Sequence, residues 1–571
     1  MDSGIEIRKT ICDICIKCGI DAYIKDGEVI KVEGSQENPQ NAGKLCAKGA
    51  ANRQYIYHKD RLRTPLFRKG ERGSGEFHPI SWDDAMNMVE DRLLRIKEEF
   101  GPESVIFYVG YPKWMRPFLK RLAHSFGSPN YCTESSVCST ATTVAAHLNY
   151  GSFGGPDLKK AKCLLVWSTN PFHSKAPAVK GLLKAREKGL KIIEVGPLLT
   201  PLTRYADIHL RIRPGTSGAL ALGMAHVIIE ENLFDHEFIE NWTKGFEEYR
   251  TYVQKYTPEK TEDITGVSAL LITKAARLYA NTKPAALMTG ACPTTHHTNG
   301  IQNHRALTAL IGLTGNFDME GGNYVIPGSY LNAKNGIITR QHEFEQSRPF
   351  SEMAPRVGYD RYPIWCDMTG QAQAMHLPFQ IESRNPYPIQ AILAFGLNYR
   401  MWPGSDQMCQ KLRKVDFLVD VDFFMTDSSK LADLVLPACT SFERNELKFY
   451  NQPYAIWTEP VIQPIGESRS DIDIIFDLAH RLTPGDDLMK AGYEGCLDWI
   501  LKPANLNIAS LKKFPGGRFI KNVSMPPYQK YKEAGFNTPS GKMEFSSSLL
   551  KDAGLDPLPK YKEPKLSPRS T

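Results

Sequence analysis

Cys163-Leu-Leu-Val-Trp-Ser-Thr-Asn-Pro171 is the stretch on which the fold turns. Five consecutive apolar residues followed by a polar turn read as a buried parallel strand ending in a loop. The chain beyond it predicts a helix over roughly Ala176 to Lys188, stopped by Gly189, and a second strand at Lys191-Ile-Ile-Glu-Val195. That is a βαβ unit with ordinary punctuation. Ala206-Asp207-Ile-His-Leu210 comes next, and Arg213-Pro-Gly-Thr-Ser217 then opens a strongly apolar helix.

The same pattern recurs later. Ile389-Gln-Ala-Ile-Leu-Ala-Phe395 reads as a strand, Gly396-Leu-Asn398-Tyr399 as the turn, Asp406 to Arg413 as a helix and Phe417-Leu-Val-Asp420 as the next strand. Ala432-Asp433-Leu-Val-Leu-Pro437 then matches the earlier Ala206-Asp207 segment at almost the same interval. The repeat predicts an α/β protein with two doubly wound parallel-sheet domains. In such sheets ligands sit beyond the carboxyl ends of the strands, where helix N-termini favour phosphate. Two halves imply two nucleotide-like ligands, or one ligand and a decayed site. Neither half carries a Gly-x-Gly-x-x-Gly fingerprint, so plain NAD binding is poorly supported, and a parallel sheet with no ligand is the bland alternative.

At the N-terminus Cys12, Cys15 and Cys18 form a C-x-x-C-x-x-C run, and Cys46 comes later in Leu45-Cys-Ala-Lys48-Gly49. Two-residue spacers let successive thiolates converge on one centre, as iron–sulfur clusters require. Structural zinc also takes four cysteines, usually as two separated pairs. Three close cysteines and one remote one favour the cluster and leave zinc as the rival. Lys48 is either a surface lysine or a group between the cluster and its electron-exchange partner.

The 571-residue length calls for several domains. The charge of +7 comes from basic and acidic residues spread along the chain, so no nucleic-acid footprint is evident. No apolar run predicts a membrane span, and Met1 to Thr10 lacks a twin-arginine pair or a hydrophobic signal core. A cytoplasmic setting is expected, where clustered cysteines bind metal more often than they form disulfides.

Taken together, these residues resemble the dimethyl-sulfoxide-reductase family of molybdenum and tungsten enzymes over essentially the whole chain. The resemblance rests on the cysteine run with Cys46-Ala-Lys48, on Asp60-Arg-Leu-Arg-Thr-Pro-Leu66 and on Ile80-Ser-Trp-Asp-Asp-Ala85. Thr314-Gly-Asn316 with Gly321-Gly322, and Leu436-Pro-Ala-Cys-Thr440 with Glu443, complete it. Ser81 with Asp84 reads independently as a helix-opening capping box. The resemblance implies a 4Fe-4S cluster and a molybdenum or tungsten bis(molybdopterin guanine dinucleotide). It also implies that the turns with Asn170-Pro171 and Gly396-Leu-Asn398 lie near the two pterin dinucleotides. Gly215 and Thr216 would then contact the first nucleotide, Asp422 and Thr440 the second, and Lys48 would stand between cluster and pterin. Family members supply the protein ligand to the metal from a loop before the first nucleotide-binding strand. Here Cys138 falls at that place, with Cys132 as the nearby rival and a buried structural cysteine as the alternative. A soft thiolate suits either metal.

The resemblance further implies two-electron redox chemistry on a small-molecule substrate, with an iron–sulfur electron-transfer subunit as partner. A non-redox hydratase or transhydroxylase, and a non-catalytic subunit, are the alternatives. Formate-oxidising relatives place a histidine after the metal ligand, whereas here the residue is Ser139, which argues against formate. His296 and His297 are candidate proton donors in the pocket, or structural and solvent-facing residues. The chain departs from the family in four places. The second and third cluster cysteines are two residues apart instead of three, Gly196-Pro-Leu198 replaces Asp-Pro-Arg, and Ser217 replaces an aspartate. The fourth departure is the expectation that a last, β-rich domain is missing beyond residue 571, either supplied by a separate chain or lost from a truncated reading frame. The expected domains are 1–60 for the cluster, 61–130 with 325–540 and 131–324 for the pterins, and 541–571 as a linker.

Overall fold

In the computed structural model, residues 4–15, 17–290, 293–326, 335–523 and 525–567 are described. The chain divides into two compact units: residues 1–136 with 327–525, and residues 137–326 with 526–571.

The first unit begins with a three-stranded antiparallel sheet, Glu6–Ile11, Gly19–Lys25 and Glu28–Gly34. Its main sheet has seven strands. Five are parallel and adjacent: Leu434–Pro437, Phe417–Asp422, Ala391–Phe395, Val105–Val109 and Tyr131–Thr133. Leu66–Arg68 and Phe77–Pro79 extend one edge antiparallel. Val105–Val109 and Ala391–Phe395 are buried along their whole length, which is why they read as continuous apolar runs. Helix Trp82–Phe100 lays Trp82, Ala85, Met86, Val89, Leu93 and Ile96 on the core, at the 3.6-residue period that keeps them on one face. Ser81 caps it, its hydroxyl accepting from the Asp84 amide as the capping-box reading requires. Gly101, at φ 86°, turns the chain out of the helix.

The second unit holds a four-stranded parallel sheet in the order Ile208–Arg211, Lys191–Gly196, Cys163–Trp167, Ala285–Thr289. The strands of the repeat fall where the sequence puts them. The expected helix over Ala176 to Lys188 is shorter: a turn at Pro171–Ser174, a tight turn at Ala176–Ala178 and a helix over Val179–Glu187. Pro177 has no N–H to donate and breaks the run. The Thr314-Gly-Asn316 segment has a mechanical use. Asn316 Oδ1 accepts from the Ala285 amide at 2.9 Å and Asn323 Oδ1 from the Leu287 amide at 2.8 Å, so side-chain amides satisfy the edge of the sheet. Residues 526–567 belong with this unit: Tyr531, Phe536, Met543 and Phe545 enter its core, and Phe536 packs 5.5 Å from the Phe317 ring. The boundary thus lies before 540, because these aromatic residues find their apolar surface here.

Candidate cofactor and metal site

The cysteine loop is built by the first hairpin. Cys12, Cys15 and Cys18 occupy the connection between Glu6–Ile11 and Gly19–Lys25, and the Cys12 amide donates to the Cys18 carbonyl at 2.8 Å, closing the loop into a ring. Cys46 sits at the N-cap of the short helix Ala47–Ala50. Cys12 and Cys18 are buried, Cys15 and Cys46 half-buried. Burial, together with the charges of Cys12, Cys15 and Cys46, pushes the Cys18 thiol up to about 12. Asn52 Nδ2 donates to Cys12 Sγ at 3.3 Å, a bond that stabilises a thiolate. Among the described residues no three His, Cys, Asp or Glu side chains close into a cage for one ion. A zinc cage needs sulfurs about 2.3 Å from a single ion. An iron–sulfur cube is held by four thiolates, the number that the loop and Cys46 together offer, so the donor set fits a cluster.

Lys48 lies exposed in the same short helix. Cys138 stands half-buried between a tight turn at Glu134–Val137 and helix Thr140–Tyr150. Cys132 is in the strand Tyr131–Thr133 with no exposed surface, and burial pushes its thiol well up.

At the first strand end, Asn170 caps the turn Pro171–Ser174 without a side-chain bond to it. Its Oδ1 is buried and has no partner. A buried amide oxygen left unpaired costs roughly 1–3 kcal/mol, so a ligand donor at this point has a physical rationale. Gly215 has φ 85°, and Thr216 is buried at the N-cap of helix Ser217–Glu230 with its hydroxyl on the Arg213 carbonyl at 2.7 Å. Ser217, which replaces the family's aspartate, accepts from Trp167 Nε1 at 3.2 Å.

In the first unit, Gly396 at φ 73° meets nothing within 4 Å of where a Cβ would point, which leaves its backbone approachable. Asn398 is exposed. Asp420 and Asp422 share one strand end, and their carboxyls are pushed up, Asp420 by burial first and by Asp422 second. Thr440 is placed differently from Asn170. Its hydroxyl and amide both bond Glu443 Oε2, at 2.6 and 2.8 Å, and that oxygen also receives Arg61 Nη2 at 2.6 Å. His296 is exposed, and His297 Nε2 lies 2.6 Å from Asn303 Nδ2.

Sequence reasoning missed two groups. Arg444, Asp13, Lys17 and Glu446 form a buried charge cluster against the cysteine loop. Its one legible sign was Asp13 and Lys17 standing among the cysteines. The other is His304, fully buried with its Nδ1 2.9 Å from the Thr294 hydroxyl and held down to about 4 by burial. Nothing local in the sequence marks it.

Strand-end turns on parallel sheets and four N-terminal cysteines define a protein built to carry cofactors. The family model described as molybdopterin oxidoreductase matches residues 61–481, and the one described as the molybdopterin oxidoreductase Fe4S4 domain matches residues 5–58. The chain belongs to the molybdopterin oxidoreductase family. It is an enzyme of that family, with a 4Fe-4S cluster and a molybdenum or tungsten pterin as its cofactors.

Among curated proteins it is 30% identical to the probable oxidoreductase YoaE of Bacillus subtilis (strain 168), over 97% of this chain and 80% of that protein. It is 31% identical to the F420-dependent formate dehydrogenase subunit alpha of Methanocaldococcus jannaschii, over 84% of this chain and 71% of that one. Among solved structures, acetylene hydratase from Pelobacter acetylenicus matches with a TM-score of 0.87 and 28% identity, covering 99% of this chain and 80% of that chain. No helix among the described residues is long and apolar enough to cross a membrane.

Proposed function

We propose that Cys138 is the protein ligand to molybdenum or tungsten and that Cys12, Cys15, Cys18 and Cys46 hold the cluster. In this reading Asn170, Pro171, Gly215 and Thr216 hold one dinucleotide, and Gly396, Asn398, Asp422 and Thr440 the other. When bound, the metal–pterin group supplies two-electron exchange with a small molecule. The chain's own part is to fix the donors, exclude water and carry charge. Lys48 keeps a cation beside the cluster loop, on the route between cluster and pterin. Two observations carry the reading: a closed loop of three cysteines, and a strand-end amide, Asn170, whose buried oxygen has no partner. Cys132 is the weaker candidate because its sulfur is wholly buried in a strand. Formate is not the substrate we propose, since Ser139 stands directly after Cys138. The named subunit status of the alpha-subunit relative supports an iron–sulfur electron-transfer partner.

The test is elemental analysis of anaerobically purified protein with dye-linked turnover. Iron together with molybdenum or tungsten supports the reading, and zinc without iron sinks it. A hydratase is the second reading, favoured by the likeness to acetylene hydratase over nearly the whole chain. Conversion of substrate with no electron acceptor present and no net reduction would select it.

A further inference from the structure

The first unit contains a cavity of about 400 Å³ whose wall includes Lys113, Arg116, Lys120 and Arg356, with Glu345 and Asp367 as its carboxylates. Each cation is held in a different way. Arg116 is paired with Glu134, and Lys120 Nζ stands 3.0 Å from Glu345 Oε2. Arg356 has only a long pair with an exposed partner. Its side chain is 6% exposed, yet its nearest carboxylate, Asp367, lies 3.5 Å from Nη1 and is itself 58% exposed. Its other polar contact is the Cys366 carbonyl, also at 3.5 Å, and its Nε is buried with no acceptor. The guanidinium lies over the Phe350 ring, 3.4 Å from the centroid, which fixes its plane. A guanidinium stays charged, and a buried one with only long contacts is costly unless a counter-ion reaches it.

We propose that this cavity is a binding site for a small oxyanion, taken by the fixed guanidinium of Arg356 and by Lys120. A planar fork and an ammonium on the wall of one cavity are the donors that take such an anion, and charge-assisted bonds of this type are the strong ones. The cavity has room for the anion and a few waters. Its wall also includes Tyr131, and Arg116 holds Glu134 and donates to the Ser135 hydroxyl at 3.4 Å, so one side is the chain run that leads to Cys138. An anionic substrate and an anionic effector share this chemistry.

The probe is sodium sulfate, titrated calorimetrically into the purified full chain at ionic strength held constant with sodium chloride. Dimethyl sulfone serves as the uncharged control. Saturable sulfate binding is expected, with none for the sulfone. Arg356→Gln should weaken it about tenfold or more. Asp367→Asn, at an exposed position, should tighten it several-fold by removing a competing carboxylate, a gain that misfolding cannot imitate. Absent saturation, or binding indifferent to both substitutions, overturns the proposal. In dye-linked turnover, competitive inhibition by sulfate assigns the site to an anionic substrate; binding without competition assigns it to an effector. Because the titration needs no turnover, failure here is separable from failure of the redox reading.

Discussion

Arg444 Nη2 lies 2.7 Å from Asp13 Oδ1, joining a fully buried guanidinium to the residue directly after the first cysteine of the cluster loop. The same guanidinium reaches Glu446 at 3.1 Å, and Lys17 closes the square with Asp13 at 3.1 Å and Glu446 at 3.2 Å. The Ser441 amide donates to the other Asp13 oxygen at 2.8 Å. Burial alone would raise the Asp13 carboxyl, but Arg444 and Lys17 outweigh it and hold the group at about 2. The loop that carries Cys12, Cys15 and Cys18 is thus anchored by charge to residues 441–446.

Removing one member of a buried ion set leaves the others uncompensated, at roughly 3–5 kcal/mol. Arg444→Gln is therefore expected to lower unfolding stability at neutral pH by about that amount. It should also speed the loss of iron to a chelator, because Asp13 would lose one of the three bonds that hold it. Arg444→Lys, which keeps the charge but not the fork, should recover part of both. Denaturant unfolding and chelator-competition kinetics on anaerobic protein check this, and unchanged iron retention in Arg444→Gln would remove the anchoring role.

Cys138→Ala should leave the spectroscopic signature and iron content of the cluster intact while abolishing turnover. Cys132→Ala should instead cost stability and spare turnover, since Cys132 is a wholly buried strand residue. Electron paramagnetic resonance of the reduced protein and dye-linked assays separate the two. Unchanged turnover in Cys138→Ala excludes it as the essential ligand.

Local residues were legible in the sequence and assembled ones were not. The strands at Cys163–Trp167 and Ala391–Phe395 are legible because full burial on both faces writes an apolar run into the chain. Ser81 is legible because capping is local. Arg444 and Arg356 are not, because their meaning depends on partners far along the chain or on a cavity wall that only folding assembles. Thr440 is legible as a motif position, but its bonds to Glu443 are not, because they form only when the turn closes.

Asp420 gives a pH dependence. Burial first and Asp422 second push its carboxyl up to about 8, against the bonds from Ser429 and the Leu397 amide that lower it. The unfolded carboxyl titrates near ~3.9. The folded state therefore holds a proton that the unfolded state has lost, and the stability tied to this group falls as pH rises from about 4 to about 8. Asp420→Asn carries no such proton and keeps an acceptor for the Leu397 amide. Its stability relative to the parent should rise with pH across that window. A difference between the two proteins that stays flat from acid to mildly alkaline buffer would show that Asp420 is ordinary.

Asn170 and Thr440 differ in how their polar atoms are used. Asn170 Oδ1 is buried without a partner, so Asn170→Ala removes an unpaired oxygen and should stabilise cofactor-free protein, by up to about 1–3 kcal/mol. Its effect should appear in loading, as a fall in bound metal and nucleotide per chain. Thr440 spends its hydroxyl on the buried Glu443 carboxylate, which is itself bound to Arg61. Thr440→Ala should therefore cost cofactor-free stability about 1.5–3 kcal/mol, the range for a hydrogen bond to a charged group. Thr440→Ser should restore it. Unfolding curves and nucleotide released on acid treatment, measured on both variants, decide the matter. Equal loading in Asn170→Ala and parent would take Asn170 out of the cofactor site, and equal loading in Thr440→Ala and parent would take Thr440 out of it.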